Sequence, residues 1–294
     1  MLWYADFGRH ALPWRQTRDP YAVLVSEVML QQTQVERVIP YYDGWLARWP
    51  APTVLAEAPL PDVLRLWAGL GYNRRAVNLH RAAVAVVERH GGRVPLDEPV
   101  LRALPGIGPY TAAAVASFAG ERRAAPADTN IARVVARAVC GMASQRDVPP
   151  GALAAALEEV LPKDGRGARD HNLALMDVGA LLCTSRQPAC LLCPLAAECR
   201  WRAAGRPASA VTPAKPQPRF VETARFARGR IVDALRDDAE LSVAALGEML
   251  PPRHRPELGR YLLALQRDGV IDGEGDRWWL AGHSGSKSIA SPKE

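Results

Sequence analysis

The sequence predicts an all-α body followed by a small module that joins three helices to a terminal hairpin. Three observations predict it. From Tyr21 to about Val139 apolar residues return every three or four positions, Pro or Gly pairs mark the breaks, and no stretch alternates with period two for long enough to make a strand. The helices expected in order are 21–35, 38–48, 53–58, 60–69, 72–91, 98–103, 110–120 and 129–139, with 151–161 and 170–182 completing the body. A segment from Trp201 to Arg219 then holds four Pro, no acid and four basic residues, so it builds no core and runs extended as a linker. Beyond it, helices are expected at 223–236, 242–249 and 256–268, the last with Leu258, Leu262 and Leu265 on one side. Val270–Ile271, the turn Asp272-Gly273-Glu274-Gly275 and Arg277–Leu280 form a hairpin. Three helices and a hairpin suggest a winged helix, with a generic small α+β cap as the alternative.

At 294 residues and 48% hydrophobic, the chain is long enough for two or three modules. A formal charge of +6 and a pI near 9.3 favour a polyanionic partner, of which nucleic acid is the commonest. The start carries Asp6 and no apolar run, unlike a signal peptide. Arg, Asp or Pro breaks every apolar stretch before the ~18 residues that a membrane span requires. The expected location is therefore the cytoplasm, on the nucleoid when DNA is bound, with no membrane partner. Four of the five cysteines lie within Cys183–Cys199, and in a reducing compartment that crowding favours a metal site over disulfides.

Three motifs carry chemistry. Cys183, Cys190, Cys193 and Cys199 follow the pattern Cys-x6-Cys-x2-Cys-x5-Cys; there is one Cys-x-x-Cys pair and no His inside the cluster. One short loop supplying four thiolates suits a [4Fe–4S] cube better than a structural zinc. Cys140, far off, is expected to be an ordinary buried thiol. Leu104-Pro105-Gly106-Ile107-Gly108-Pro109-Tyr110 is a hairpin between helices; Gly106 and Gly108 are expected to allow positive φ and close approach of a ligand. Pro109 starts the next helix, whose N–H groups then face a phosphate. Two acids stand in contrasting settings. Glu27 lies among Val25, Val28, Met29 and Leu30, where desolvation raises a carboxyl pKa. Asp128, in Ala127-Asp128-Thr129-Asn130, is placed either to cap the helix after it or to act in chemistry.

The cysteine loop and the Leu-Pro-Gly-Ile-Gly hairpin resemble those of the endonuclease III superfamily of helix-hairpin-helix DNA glycosylases. Ser26-Glu27-Val28-Met29-Leu30-Gln31-Gln32-Thr33-Gln34 resembles the signature of A/G-specific adenine glycosylases of the MutY type. The resemblance runs from about Trp3 to Arg202. It implies a two-lobed all-α helix-hairpin-helix fold with a [4Fe–4S] loop, acting as a monomer on double-stranded DNA that carries adenine opposite 8-oxoguanine or guanine. The segments implied are an N-terminal segment at 1–20, a six-helix domain with the hairpin at 21–125 and a cluster domain at 126–202. A linker at 203–219, a winged-helix-like module at 220–282 and a disordered tail at 283–294 follow. Purine excision needs a proton on the departing base and a carboxylate near the cationic sugar. The resemblance assigns these to Glu27 and Asp128, with Asn130 in the same Asp-x-Asn motif. Tyr110 stands where relatives with lyase activity carry a Lys nucleophile, so the expected enzyme is monofunctional. Trp14, Arg15 and Leu30 are implied at the adenine pocket, and Gln32, Leu70 and Tyr72 as wedges around the orphaned base. Gly106 and Gly108 are implied to hold DNA, and Arg186, with Arg200 and Arg202, to meet phosphates near the cysteine loop.

Three departures stand out. Asn73 replaces a second tyrosine, and Leu173 stands where several relatives have Glu or Gln. The residues after the linker are too few and too helical for the usual domain resembling nucleotide pyrophosphohydrolases, so weaker selectivity for 8-oxoguanine over guanine is expected. Excision of uracil or thymine on the same scaffold, and non-catalytic DNA binding, are the competing readings.

Overall fold

The structure, a computed structural model, describes residues 2–149, 151–211, 218–238 and 240–283. Parts of the expected linker (212–217) and of the expected tail (284–294) lie outside the described residues. The body holds α1 (Leu2–Phe7), α2 (Pro20–Leu30), α3 (Val35–Arg48), α4 (Pro52–Ala56), α5 (Leu60–Leu66) and α6 (Arg74–His90). It continues with α7 (Glu98–Arg102), α8 (Pro109–Phe118), α9 (Thr129–Ala138), α10 (Ala152–Val160), α11 (Gly165–Asp177) and α12 (Arg200–Ala203). The C-terminal part runs α13 (Ala224–Asp237), β1 (Leu241–Ser242), α14 (Val243–Met249), α15 (Leu258–Arg267), β2 (Ile271–Glu274) and β3 (Arg277–Leu280).

Two compact units form, and neither is a continuous segment. The first comprises Met1–Glu27 with Val94–Lys215, the second Val28–Arg93 with Pro216–Glu294. In the first unit, α8 is buried from Thr111 to Phe118, its alanines letting α7 and α11 approach closely. α11 satisfies the polar groups left around that helix. Asn172 donates to Ser117 Oγ (3.0 Å) and to the Ala124 carbonyl (2.8 Å), and Arg169 Nε donates to the Phe118 carbonyl (3.0 Å). A second core forms where Ile131, Val134 and Val135 of α9 meet Leu157 of α10 and Leu175 of α11.

In the second unit, α6 is the long central helix, ended by Gly91 in the left-handed region (φ 58°). Trp45 packs edge-on to Trp49 and Trp67, with ring centroids 4.7 and 5.5 Å apart. Ile231, Val232 and Leu235 of α13 and Tyr261, Leu262 and Leu265 of α15 are all buried, and the two helices pack together. The three strands form an antiparallel sheet in the order β1-β3-β2.

Helix boundaries depart from the apolar pattern at identifiable places. The helix expected at 21–35 stops at Leu30, because Gln32 adopts φ 58°. That expected at 72–91 starts at Arg74, because Tyr72 adopts φ 48°. A left-handed residue other than Gly costs about 1–2 kcal/mol, so both turns are held by other interactions. α11 begins five residues before the expected 170, where Asp164 Oδ1 accepts the Gly167 N–H at 2.6 Å. It runs on into a π-helical turn, Val178–Leu182. α1 and β1, six and two residues long, are too short to leave a periodic signal.

Candidate active site

Asp19 opens α2 by accepting the Tyr21 and Ala22 N–H groups at 3.1 and 3.4 Å. The helix is then apolar on nearly every side, so it is buried all round. Ser26 satisfies itself by donating to the Val23 carbonyl at 2.8 Å. Glu27, one residue on, is 5% exposed. Burial pushes its carboxyl from the ordinary carboxylate range up to about 7; the Tyr110 hydrogen bond and the Arg15 charge oppose the rise, and Asp128 adds to it. Tyr110 donates its hydroxyl to Glu27 Oε2 at 2.7 Å. Burial, then the Glu27 charge, pushes the phenol well above its usual range, so it remains a donor at neutral pH.

Tyr110 is delivered by the hairpin between α7 and α8. Gly106 adopts φ 76°, as expected. Gly108 does not: its φ is −87° and it serves as the N-cap of α8. A Cβ at Gly108 would meet nothing within 4 Å, so its contribution is an open approach to the first turn. Gly106, Gly108 and Pro109 are all exposed.

Asp128 caps α9, its Oδ1 accepting the Ile131 N–H at 2.6 Å, while Oδ2 accepts from Asn130 Nδ2 at 2.9 Å. Asn130 passes the connection on, its Oδ1 accepting from Arg133 Nη2 at 2.8 Å. Arg133 also donates to the carbonyls of Gly179 and Cys183, both at 2.6 Å. The Asp-x-Asn motif is thereby tied to the backbone that carries the first cysteine. Gly179 is required there, since a Cβ would come within 2.7 Å of Asn130 Cβ.

Cys183, Cys190, Cys193 and Cys199 are free, half-buried thiols around one small cavity of about 20 Å³. Arg137 closes the cavity: its guanidinium lies 3.3 Å from Cys183 Sγ, donates to the Thr184 and Ser185 carbonyls at 2.7 and 3.1 Å, and stacks 4.5 Å from the Trp201 ring centre. Among the described residues no group of three Cys, His, Asp or Glu is placed to hold a metal ion. Cys140 is separate and packs against the α9 core. Arg186 is exposed beside a groove that Arg146 and Arg206 also line. Arg200 and Arg202 are partly occupied, each donating to a nearby carbonyl, Val139 at 2.8 Å and Ala196 at 2.9 Å.

The residues expected at the base pocket are placed differently from one another. Trp14 is 7% exposed. The Arg15 guanidinium is held on Asp177, at 3.0 Å to Oδ1, and on the Tyr4 hydroxyl at 3.2 Å, so its role in the structure is a buried ion pair. Arg9 meets the same carboxylate through its side chain (2.7 Å) and its backbone N–H (2.9 Å). Asp177, with no exposure at all, escaped the sequence reading; a lone acid in Leu173-Ala174-Leu175-Met176-Asp177-Val178 was the available signal. Leu173 is core, 1% exposed. Leu30 is half-buried at the end of α2.

In the second unit, Gln32 is exposed and Tyr72 is 40% exposed. Leu70 is 4% exposed and packs inward, leaving Gln32 and Tyr72 as the projecting residues. Both turns hang on Arg75, which the sequence did not single out. Its Nη1 donates to the carbonyls of Val28 (2.8 Å), Met29 (2.9 Å) and Gln31 (2.7 Å). Its Nη2 donates to Leu70 (3.0 Å), Gly71 (3.1 Å) and Thr33 Oγ1 (3.2 Å). One guanidinium therefore ends α2 and fixes the turn before α6.

Comparison with known proteins agrees with this geometry. Residues 25–163 match the HhH-GPD superfamily of base excision DNA repair proteins. The adenine DNA glycosylase of Mycolicibacterium smegmatis is 44% identical over 294 aligned residues, covering 96% of this chain and 94% of the relative. The human adenine DNA glycosylase is 42% identical over 211 residues, covering 69% of this chain and 38% of its own. Among solved structures, a thermostable thymine-DNA glycosylase superposes with a TM-score of 0.62 at 32% identity, covering 69% of this chain and 93% of that one. A non-covalent endonuclease III–DNA complex shares the fold, with a TM-score of 0.58 at 23% identity over 69% of this chain and 92% of that one. With near-complete mutual coverage at that identity, the chain belongs to the adenine DNA glycosylase family of the HhH-GPD superfamily.

Proposed function

We propose that the protein hydrolyses the N-glycosidic bond of adenine opposite 8-oxoguanine or guanine in duplex DNA, as a monofunctional glycosylase. The observation that carries this reading is the buried Glu27 carboxyl, which titrates near 7 and is held by the Tyr110 hydroxyl at 2.7 Å. A proton donor works best with a pKa near the operating pH, which is where burial puts Glu27. Glu27 protonates the extruded adenine, and the Asp128 carboxylate, oriented by Asn130 and Ile131, faces the positive charge that develops on the sugar. Tyr110 has no amine, so water is the nucleophile and no Schiff base forms.

The four thiols fit a [4Fe–4S] cluster. They are free, they share one cavity, and Arg137 reaches Cys183 with a charge that suits a thiolate. A cube takes its ligands around a body wider than a single ion. Cys183, Cys190, Cys193 and Cys199 would hold it, and it would supply a rigid brace for the loop bearing Arg186. The C-terminal order α13-β1-α14-α15-β2-β3 with sheet order β1-β3-β2 supports the winged-helix-like reading of that module.

A second reading, thymine excision, is favoured by the 32% identity to the thymine-DNA glycosylase structure. The deciding test is alkali-induced strand scission of duplexes carrying A, T or U opposite G or 8-oxoguanine. Scission confined to the adenine strand is expected; cleavage of T or U with adenine untouched would replace the first reading by the second.

A further inference from the structure

We infer that the groove formed by the Gln32 and Tyr72 turns together with α13 and the end of α15 binds the phosphate backbone of DNA, with Arg225 and Arg228 as its phosphate contacts. The inference deepens the proposed function and rests on DNA being the substrate. The groove, about 870 Å³, lies wholly within the second unit. Six arginines line it against two carboxylates, Asp233 and Asp268. Asp233 is taken by Arg236, and Asp268 is shared between Arg74 at 3.4 Å and Arg228 at 3.9 Å. Arg75 is committed to backbone carbonyls. Positive charge is therefore left over, and a polyanion is what balances it.

Arg225 shows the disposition most clearly. Its Nη1 donates to the Tyr72 hydroxyl at 2.7 Å, and its guanidinium lies 4.1 Å from the Tyr72 ring centre and 5.2 Å from that of Phe220. No described carboxylate pairs with it. Neutral partners thus orient the guanidinium without cancelling its charge, and a phosphate can be accepted with no ion pair to break. Stability of α13 does not account for this residue, since a cation in a helix's first turn opposes the helix dipole. Tyr72 beside it is 40% exposed and left-handed, at φ 48°. It is held so by the grip of Arg75 on Leu70 and Gly71, and by Trp67 Nε1 donating to the Gly71 carbonyl at 3.0 Å. Arginines oriented beside a partly exposed tyrosine suit a nucleic-acid backbone, with the cations on phosphates.

The test uses the full-length protein and anisotropy with a short undamaged duplex across a salt series. The Arg225→Ala/Arg228→Ala double variant is expected to bind about tenfold more weakly, with a log–log salt slope shallower by about two. Arg225→Lys keeps the slope but loses part of the affinity, because an ammonium does not reproduce the planar stack. Arg260→Ala, whose side chain pairs with Glu257 away from the groove, binds as wild type. Thermal midpoints confirm that every variant folds. Wild-type affinity and slope in a folded double variant would overturn the inference. So would displacement of the duplex by inorganic phosphate at comparable concentration, which points to a free-anion site, or by polyglutamate in preference to DNA, which points to an acidic protein. Because binding is read on undamaged DNA, this result is independent of whether adenine is excised.

Discussion

Glu27 and Arg75 are both charged side chains buried in apolar surroundings, 5% and 9% exposed, and burial acts on both. It raises Glu27 to about 7 and lowers Arg75 to about 10. Their partners differ completely. Arg75 has six acceptors around two nitrogens, so it stays charged at any pH the protein meets and behaves as a fixed peg. Among the described residues the donor to Glu27 is the Tyr110 hydroxyl, so its charged form is poorly supported and its proton is exchangeable near neutrality. Asp177 sides with Arg75: it has no exposure, but Arg9 and Arg15 surround it. Burial alone does not separate a working acid from a structural charge; the supply of partners does.

The largest effect is expected at the under-supported group. Glu27→Gln removes the proposed proton donor and should slow single-turnover excision about a thousandfold, at the middle of the range for general acids. The same variant should be more stable than wild type at pH 8. The sign follows from the direction of the shift: with the folded pKa above the unfolded one, the native state holds an extra proton between about 4.5 and about 7, so stability falls as pH rises through that window. The cost at pH 8 is on the order of 3 kcal/mol, absent from the amide variant and vanishing below pH 4.5. Urea unfolding at pH 8 and pH 4 measures it; a Gln variant less stable at both would break the comparison.

The well-supported groups should behave in the opposite way. Asp177→Ala strands two arginines, one of them 6% exposed, and is expected to cost about 3–5 kcal/mol of unfolding free energy. Arg75→Met leaves several carbonyls and the Thr33 hydroxyl without their donor and should cost about 2–3 kcal/mol, with looser DNA binding. Arg75→Lys should recover little, since one ammonium does not span acceptors on both turns. In Arg75→Met the alkaline limb of the pH–rate profile should remain near 7, because that side chain does not bond to Glu27; a moved limb would couple the peg to the acid.

The contrast also marks what the sequence discloses. Glu27 stands out because its neighbours are the apolar residues of its own helix, and the cysteine loop because its four thiols are close in the chain. Gly106 is legible from its hairpin motif and most helices from apolar periodicity, whereas Tyr110, whose partner lies 83 residues away, is legible only through the resemblance at that motif. Arg75 and Asp177 are not, because they have partners as far as 47 and 168 residues away and, for Arg75, these are mostly backbone carbonyls that any residue supplies. Leu70 and Gly108 show a different limit. Each stands in a motif whose local geometry the sequence leaves open: Leu70 packs inward, and Gly108 caps a helix at φ −87° where positive φ is expected. The discontinuous units are equally hidden, since grouping 28–93 with 216–294 depends on long-range packing.

The smallest expected effect probes the bond between Glu27 and Tyr110. The Tyr110 hydroxyl donates to Oε2 and so favours the ionised carboxylate, opposing the larger effect of burial. In Tyr110→Phe that support is gone and the carboxyl pKa rises further. Excision requires the protonated acid, so the rate falls as pH rises through the pKa, and the alkaline limb should move upward from about 7. A hydrogen bond to a charged group contributes about 1.5–3 kcal/mol, and water admitted in place of the hydroxyl offsets part of it, so a shift of about one pH unit is expected. At pH 6 the variant should excise within a few-fold of wild type, and above pH 8 it should be the faster of the two. A limb displaced toward acid would mean that the phenol keeps Glu27 protonated, reversing its part in the comparison.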